Sequence, residues 1–164
     1  MKKNNSWKIV LNILIVISFA IYLAALYYFT IGKSAPVMMN GETRRANFVP
    51  FGTIRRYIKL LSSGGSSIAY LNLVGNIILF IPMAVYLPWF VKGLRKFWKD
   101  VLAALAIIIL IEIVEYITGR GSLDVDDVIL NLLGAIIGYG IWKIPFIKKL
   151  ADALQCKDKP DIAG

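Results

Sequence analysis

The sequence contains no histidine, and it has one cysteine, Cys156, among its 164 residues. Without histidine, the side chain best suited to general base catalysis near neutral pH is missing, and so is a usual zinc ligand. A single cysteine cannot form an intramolecular disulfide, so the fold does not depend on oxidation. Any metal site would use oxygen ligands and would hold a divalent cation such as Mg²⁺, Mn²⁺ or Ca²⁺.

Acidic residues are also few, with 10 against 19 basic residues and a net charge of +9. Strongly basic chains often bind nucleic acid, but here the positive charges flank long apolar runs, which is typical of membrane anchoring. Hydrophobic residues make up 58% of the chain and the mean hydropathy is +0.67, above the usual value for soluble proteins. The sequence therefore predicts an integral membrane protein whose partner is the lipid bilayer, with no nucleic-acid partner.

The apolar runs predict an all-α fold, a polytopic membrane helix bundle of about four transmembrane helices. The predicted spans are Ile9–Ile31, Ile68–Phe90, Val101–Ile117 and Val128–Ile144. Because the last two are short, we expect the bilayer to thin locally or flanking charges to snorkel. Residues 1–150 are predicted to form the transmembrane domain, and residues 151–164 a polar, disordered tail.

The first loop, from Gly32 to Ser67, is long and polar. Four apolar residues recur inside it at helical spacing: Phe51, Ile54, Ile58 and Leu61. This pattern predicts a short amphipathic helix lying in the membrane interface, with a re-entrant segment as the alternative.

The distribution of basic residues predicts the orientation of the chain. Twelve lysines and arginines lie in the N-terminal segment, the second loop and the C-terminal segment, against seven in the first and third loops. Because cytoplasmic segments carry the excess of positive charge, a multi-pass protein of the cell membrane with both termini in the cytoplasm is predicted.

Polar residues inside the spans gather at one end of the predicted bundle. They are Asn72 and Asn76 in the second span, Glu112 and Glu115 in the third, and Asp124, Asp127 and Asn131 at the start of the fourth. The helical spacing of each set places its members on one face. Since a charge at the centre of a membrane helix costs about 2.5–3.5 kcal/mol or more, such groups normally face the bundle or a wet cavity. We expect a polar pocket, which the predicted orientation places in the outer leaflet.

Simpler roles compete with a ligand site for several of these residues. The asparagines could be interhelical hydrogen-bonding groups, and the Gly134-x-x-x-Gly138 pattern favours close helix packing over ligand contact. Asp126 or Asp127 could cap the fourth span. Glu112 lies deep in its span and caps nothing, which favours a functional role.

Arginines lie on the same side as these carboxyl groups, among them Arg45 and Arg120. They could form salt bridges with the acids or contact lipid headgroups. Alternatively, a guanidinium could clamp a phosphate or carboxylate of a ligand, for which its geometry is suited.

Three blocks of the sequence stand out: NFVPF (Asn47 to Phe51), NLVGNIILFIP (Asn72 to Pro82) and EIVEYITGRGSLDVDDVILNLLGAIIG (Glu112 to Gly138). Together these blocks resemble one family, the VanZ-like membrane proteins, whose founding member is associated with teicoplanin resistance. They are similar to the family's N-L-x-P-F, its N-x-x-x-N-x-x-x-F-x-P, and its E-x-x-Q followed by D-x-x-D-x-x-x-N-x-x-G.

The resemblance implies a Gram-positive cell-membrane protein linked to glycopeptide or lipoglycopeptide resistance. By position, the family's functional candidates fall on Glu112, Asp124, Asp127 and Asn131, with Asn72 and Asn76 in support. Glu115 stands where the family usually has glutamine, so it adds a carboxyl group to the set.

Three functions are compatible with these observations. The favoured one is a binding protein that holds a lipid-linked cell-wall precursor or the glycopeptide antibiotic in an outward-facing pocket. The second is a membrane enzyme whose carboxyl groups act on an envelope lipid, with or without a divalent cation, although no recognised catalytic signature is present. The third is a structural or partner-recruiting membrane subunit.

Overall fold

The computed structural model of the chain describes residues 6–32 and 46–155, and within them it is a bundle of α-helices. The helices are α1 (Ser6–Tyr27), α2 (Gly52–Ser62), α3 (Ser67–Phe90), α4 (Phe97–Thr118), α5 (Val125–Trp142) and α6 (Pro145–Gln155). A π-helical turn, Tyr28–Gly32, extends α1, and a 3-10 turn, Lys92–Leu94, precedes α4. Two strands of two residues each, β1 (Ala46–Asn47) and β2 (Leu123–Asp124), pair in parallel.

Four helices within the described residues are long and apolar enough to cross a membrane, which confirms the predicted number of spans. The third is longer than predicted, because α4 begins at Phe97 and not near Val101, and its 22 residues need no thinning of the bilayer. Asp100 explains the difference. It is fully buried in the first turn of α4, so it belongs to the helix although it is polar. The fourth span, α5, has 18 residues and also begins earlier than predicted.

Helix α5 lies at the centre of the bundle and packs most closely on α3. A Cβ atom added at Gly134 would overlap the backbone carbonyl of Ile77, and one at Gly138 would overlap that of Ile81. Since only glycine lets the two backbones approach this closely, these two residues serve helix packing, as the sequence pattern favoured.

Helix α1 lies at the edge of the bundle, and most of its side chains are exposed. It contacts α3 through an aromatic cluster of Phe19, Tyr22, Tyr86 and Phe90, whose neighbouring ring centroids are 4.9–6.5 Å apart. The hydroxyl of Tyr86 also donates a hydrogen bond to Ser18 Oγ at 3.0 Å. The first span is therefore joined to α3 through its aromatic residues, while its π-helical end contacts α4.

The C-terminal helix α6 crosses the predicted domain boundary at residue 150. Residues 151–155 are helical where the sequence analysis expected disorder, because Ala151 and Leu154 are buried against the bundle. Arg95 holds the same helix in place through Asp152 and Gln155. Residues 156–164, the rest of the predicted tail, lie outside the described residues.

Helix α2 is the amphipathic helix that the first loop was predicted to contain. It begins after Phe51, which has a left-handed backbone (φ 64°), an uncommon conformation for a residue with a side chain. The pairing of β1 with β2 places this entry next to the start of α5. Its position in the interface of a bilayer remains a prediction.

Candidate functional site

A cavity of about 230 Å³ lies at the end of the bundle where α3 and α5 begin and α4 ends. Its polar lining consists of Thr30, Asn72, Asn76, Glu112, Glu115, Arg120, Ser122, Asp127 and Asn131. Phe29, Leu79, Phe80 and Gly121 complete the wall. The structure thus brings together seven of the nine residues that the sequence analysis selected.

The floor of the cavity is formed by Glu112 and Asn131, which are 4% and 3% exposed. Asn131 Nδ2 donates a long hydrogen bond of 3.4 Å to Glu112 Oε1. The other two side-chain oxygens, Glu112 Oε2 and Asn131 Oδ1, have no hydrogen-bond partner among the described residues. Because a buried polar atom without a partner costs about 1–3 kcal/mol, this arrangement needs an explanation other than stability.

The side wall joins α3 to α5. Asn76 Nδ2 donates to Asp127 Oδ1 at 2.8 Å, so this pair links the two helices and lines the cavity at the same time. Asn72 Nδ2 donates to the carbonyl oxygen of Ile68 in its own helix at 2.9 Å. Of these two asparagines, Asn76 therefore forms an interhelical hydrogen bond and Asn72 does not. The partner of Asn76, Asp127, is itself a candidate site residue.

The mouth of the cavity is formed by the loop between α4 and α5. Arg120 is half-buried and donates one hydrogen bond, from Nη1 to the carbonyl oxygen of Ile31 at 2.7 Å, while Ser122 is exposed. Gly121 packs on Glu115, because a Cβ atom there would lie 2.7 Å from Glu115 Oε2. The loop is thereby held against the end of α4, and one guanidinium is placed at the entrance.

Asp124 lies outside the cavity, although the spacing from Asp124 to Asp127 and Asn131 suggested a single helical stripe. The helix begins at Val125, so Asp124 is in β2 and is the N-cap of α5, accepting a hydrogen bond from the backbone N–H of Asp126 at 2.9 Å. Its carboxylate also accepts from Thr53 Oγ1 at 2.7 Å and Asn47 Nδ2 at 3.1 Å. Its observed contacts are therefore structural.

Asp126 was offered, with Asp127, as an alternative cap for the fourth span, but the N-cap is Asp124. The fully buried carboxylate of Asp126 accepts three hydrogen bonds from the N-terminus of α2, from the backbone N–H groups of Phe51 at 2.5 Å, Thr53 at 2.7 Å and Ile54 at 3.1 Å. A carboxylate is favoured there by the helix dipole and the free N–H groups. The two aspartates thus form a joint, Asp124–Asp126, between the first loop and α5.

Two predictions remain, one that Arg45 belongs to the site and one that the carboxyl groups hold a metal ion. Arg45 lies outside the described residues. Within residues 6–32 and 46–155, no group of three or more acidic or cysteine side chains is placed to hold a metal ion. The alternative in which the carboxyl groups hold a divalent cation therefore gains no support from the described part of the chain.

Comparison with known proteins gives the same family as the sequence blocks. No curated protein and no solved structure matches the chain. The model of the VanZ/LLP1 family matches residues 19–148, a range that contains all three blocks and every residue of the cavity wall. The chain therefore belongs to the VanZ/LLP1 family.

Proposed function

We propose that this membrane protein binds the polar headgroup of a lipid-linked cell-envelope molecule in its cavity, and thereby lowers the susceptibility of a Gram-positive cell to teicoplanin-type glycopeptide and lipoglycopeptide antibiotics. The observation that carries the proposal is the floor of the cavity. Glu112 and Asn131 both line the cavity, both are more than nine-tenths buried, and each has one side-chain oxygen without a hydrogen-bond partner among the described residues. Buried acceptors of this kind are expected where a ligand supplies the missing donors.

The position of the cavity along the bundle supports an external ligand. It lies at the end opposite to α6 and to the loop between α3 and α4. The excess of basic residues lies in the segments at that opposite end, which favours a cytoplasmic location for them. The cavity then opens toward the outer leaflet, where glycopeptide antibiotics and exported envelope precursors are found.

The size of the cavity favours a headgroup over a complete antibiotic molecule. Pockets for drug-sized ligands usually measure about 300–1,000 Å³, and the volume here is about 230 Å³. A glycopeptide is larger than an ordinary drug. We therefore choose the envelope molecule as the ligand, with reduced antibiotic action as a consequence of its binding.

The proposal is tested by measuring teicoplanin and vancomycin susceptibility in a sensitive Gram-positive host. The host expresses the wild type, Glu112→Gln, Asp127→Asn or the control Asp100→Asn, with membrane levels matched. Asp100 is a suitable control because it is a buried carboxyl group on the same helix as Glu112 but lies outside the cavity. We expect the wild type and the control to raise teicoplanin tolerance and both cavity variants to lose this effect.

Two results would contradict the proposal in different parts. If the wild type leaves susceptibility unchanged, the link to resistance is wrong for this protein. If the cavity variants protect as well as the wild type does, the effect does not depend on the cavity.

A further inference from the structure

From the donors and acceptors around the cavity, we infer that its ligand is a phosphate-linked lipid headgroup that ends in a primary ammonium group. This inference rests on the proposed function and specifies the chemistry that the cavity recognises. The ammonium group contacts Glu112 and Asn131 at the floor, and the phosphate lies at the mouth beside Arg120.

The amide donors that line the cavity already have protein acceptors. Asn76 Nδ2 donates to Asp127, Asn131 Nδ2 donates to Glu112, and Asn72 Nδ2 donates to a carbonyl of its own helix. Each amide group carries two N–H donors and these bonds use one of them, so the three side chains can still donate to an acceptor such as a phosphate oxygen.

The acceptors at the floor of the cavity differ from these donors in having no partner within the described residues. Glu112 Oε2 and Asn131 Oδ1 are buried and lack a hydrogen-bond partner among the described residues. An amide oxygen and an ionised carboxylate oxygen can be satisfied only by a donor, so the part of the ligand that reaches the floor is expected to carry N–H or O–H groups. This condition leaves ammonium groups and hydroxyl groups as candidates.

The charged residues that line the cavity favour an ammonium group over a hydroxyl group. Three carboxyl groups, those of Glu112, Glu115 and Asp127, face the cavity, against one guanidinium, that of Arg120. A carboxyl group buried in a membrane bundle ionises readily only beside a positive charge, so an excess of carboxyl groups over guanidinium groups favours a ligand that brings a cation. A primary ammonium group supplies the positive charge and three donors together.

The order of charges from mouth to floor fits a headgroup that enters with its tip first. Arg120 lies at the mouth and uses one of its five N–H groups on Ile31, so the others remain for a phosphate. Glu112 lies six residues before the end of α4, roughly 9 Å deeper by the rise of a helix.

The test is calorimetric titration of the purified full-length protein in a non-ionic detergent with three short-chain phospholipids. Dihexanoyl phosphatidylethanolamine has the phosphate and a primary ammonium group. Dihexanoyl phosphatidylcholine keeps the phosphate and the positive charge but has no N–H donor. Dihexanoyl phosphatidylglycerol keeps the phosphate and offers hydroxyl donors without the charge. We expect the ethanolamine lipid to bind at least about tenfold more tightly than the other two.

Three variants identify the groups responsible. Glu112→Gln should weaken binding of the ethanolamine lipid by about tenfold and remove its advantage over the choline lipid. Arg120→Gln should weaken all three lipids by a similar factor, because they share the phosphate. Asp100→Asn should bind like the wild type. A thermal unfolding midpoint, measured for each variant, ensures that a loss of binding is not a loss of fold.

The outcomes separate this inference from the proposed function. If the phosphatidylglycerol or choline lipid binds as tightly as the ethanolamine lipid, and Glu112→Gln weakens that binding, the ammonium specificity is wrong while headgroup binding stands. If no phospholipid binds to the wild type, the inference is overturned, and the susceptibility experiment decides the proposed function separately. Equal binding of free phosphoethanolamine would support the same chemistry with a soluble source.

Discussion

At the end of the bundle where α6 packs, the Arg95 end, one guanidinium is surrounded by protein partners. At the cavity end, two buried acceptors have no partner in the described part of the chain. Arg95 donates to Asp152 at 2.6 Å, to Gln155 at 3.1 Å and to the carbonyl of Pro88 at 3.4 Å. Its carbonyl oxygen accepts from the hydroxyl of Tyr139 at 2.9 Å. Arg95 thereby holds α3, α5 and α6 together.

The cavity end contains both satisfied and unsatisfied polar groups. The Asp124–Asp126 joint is satisfied in the same way as Arg95, because the carboxylates accept hydrogen bonds from α2 and from the start of α5. The floor beside it, Glu112 and Asn131, is left incomplete. Two open acceptors that line a cavity beside a satisfied joint are consistent with a site built on a rigid support.

Asp100 has a carboxyl group that is unpartnered in the described part of the chain and does not belong to the cavity. Both of its carboxylate oxygens are buried and lack a partner among the described residues, and it lies at the Arg95 end. It does not line the cavity. An unpartnered carboxyl group is thus insufficient evidence for a ligand, and the space beside Glu112 is what gives the open acceptors their meaning.

The largest loss of stability is expected from Gly134→Ala. This substitution should disturb both ends of the bundle, because both depend on the contact of α3 with α5. The added Cβ meets the carbonyl of Ile77, so the helices must separate, and we expect a loss of about 3 kcal/mol or more in the free energy of unfolding. Thermal unfolding in detergent measures this. Gly140→Ala is the matched control, because nothing lies within 4 Å of its Cβ position. A similar loss in both variants would contradict the packing role.

The second-largest loss of stability is expected from Asp126→Asn, and it should affect the cavity end of the bundle but not the Arg95 end. Asp126→Asn removes one of the two carboxylate oxygens that bind the N-terminus of α2, so we expect a loss of about 2–3 kcal/mol. Hydrogen exchange should become faster in α2 while α6 keeps its protection. Equally fast exchange in α6 would show that the joint supports the whole bundle and not the cavity end alone.

The sequence was sufficient to predict the four spans and the end of the bundle where the polar residues gather. Span direction and helical rise alone place Asn76, Glu112 and Asn131 at a common end, whatever the details of packing. The same reasoning failed for Asp124, because a stripe argument assumes that the helix includes the residue, and α5 begins one residue later.

The Asp124–Asp126 joint and the role of Arg95 could not be predicted in this way. The joint depends on the parallel pairing of Asn47 with Asp124, in strands of two residues each that lie 77 positions apart. Strands this short leave no alternation in the sequence, and nothing local identifies their partner. The position of α6 likewise depends on Arg95, a distant residue that looked like one more basic residue of a cytoplasmic loop.

A smaller effect, at the opposite end, is expected from Arg95→Lys. Lysine keeps the charge near Asp152 but loses the forked contacts with Gln155 and the carbonyl of Pro88. Because the ion pair is partly exposed, we expect a loss of about 1 kcal/mol in stability. Hydrogen exchange should become faster in α6 and remain unchanged in α2, the reverse of the Asp126 variant. Loss of protection in α2 would mean that the two ends are coupled.

The smallest effect on stability, and the one that tests the comparison most directly, is expected from Glu112→Gln. If Glu112 serves a ligand and not the fold, replacing its carboxyl group with an amide should leave the free energy of unfolding unchanged or raise it by up to about 1 kcal/mol, since the amide keeps the acceptor for Asn131 and cannot ionise in the bundle. The unfolding midpoint and the susceptibility of matched cells are measured on the same variant. A stable protein that no longer protects is the expected pair of results. A loss of stability comparable to that of Asp126→Asn would show instead that Glu112 supports the fold, and the cavity end would then resemble the Arg95 end.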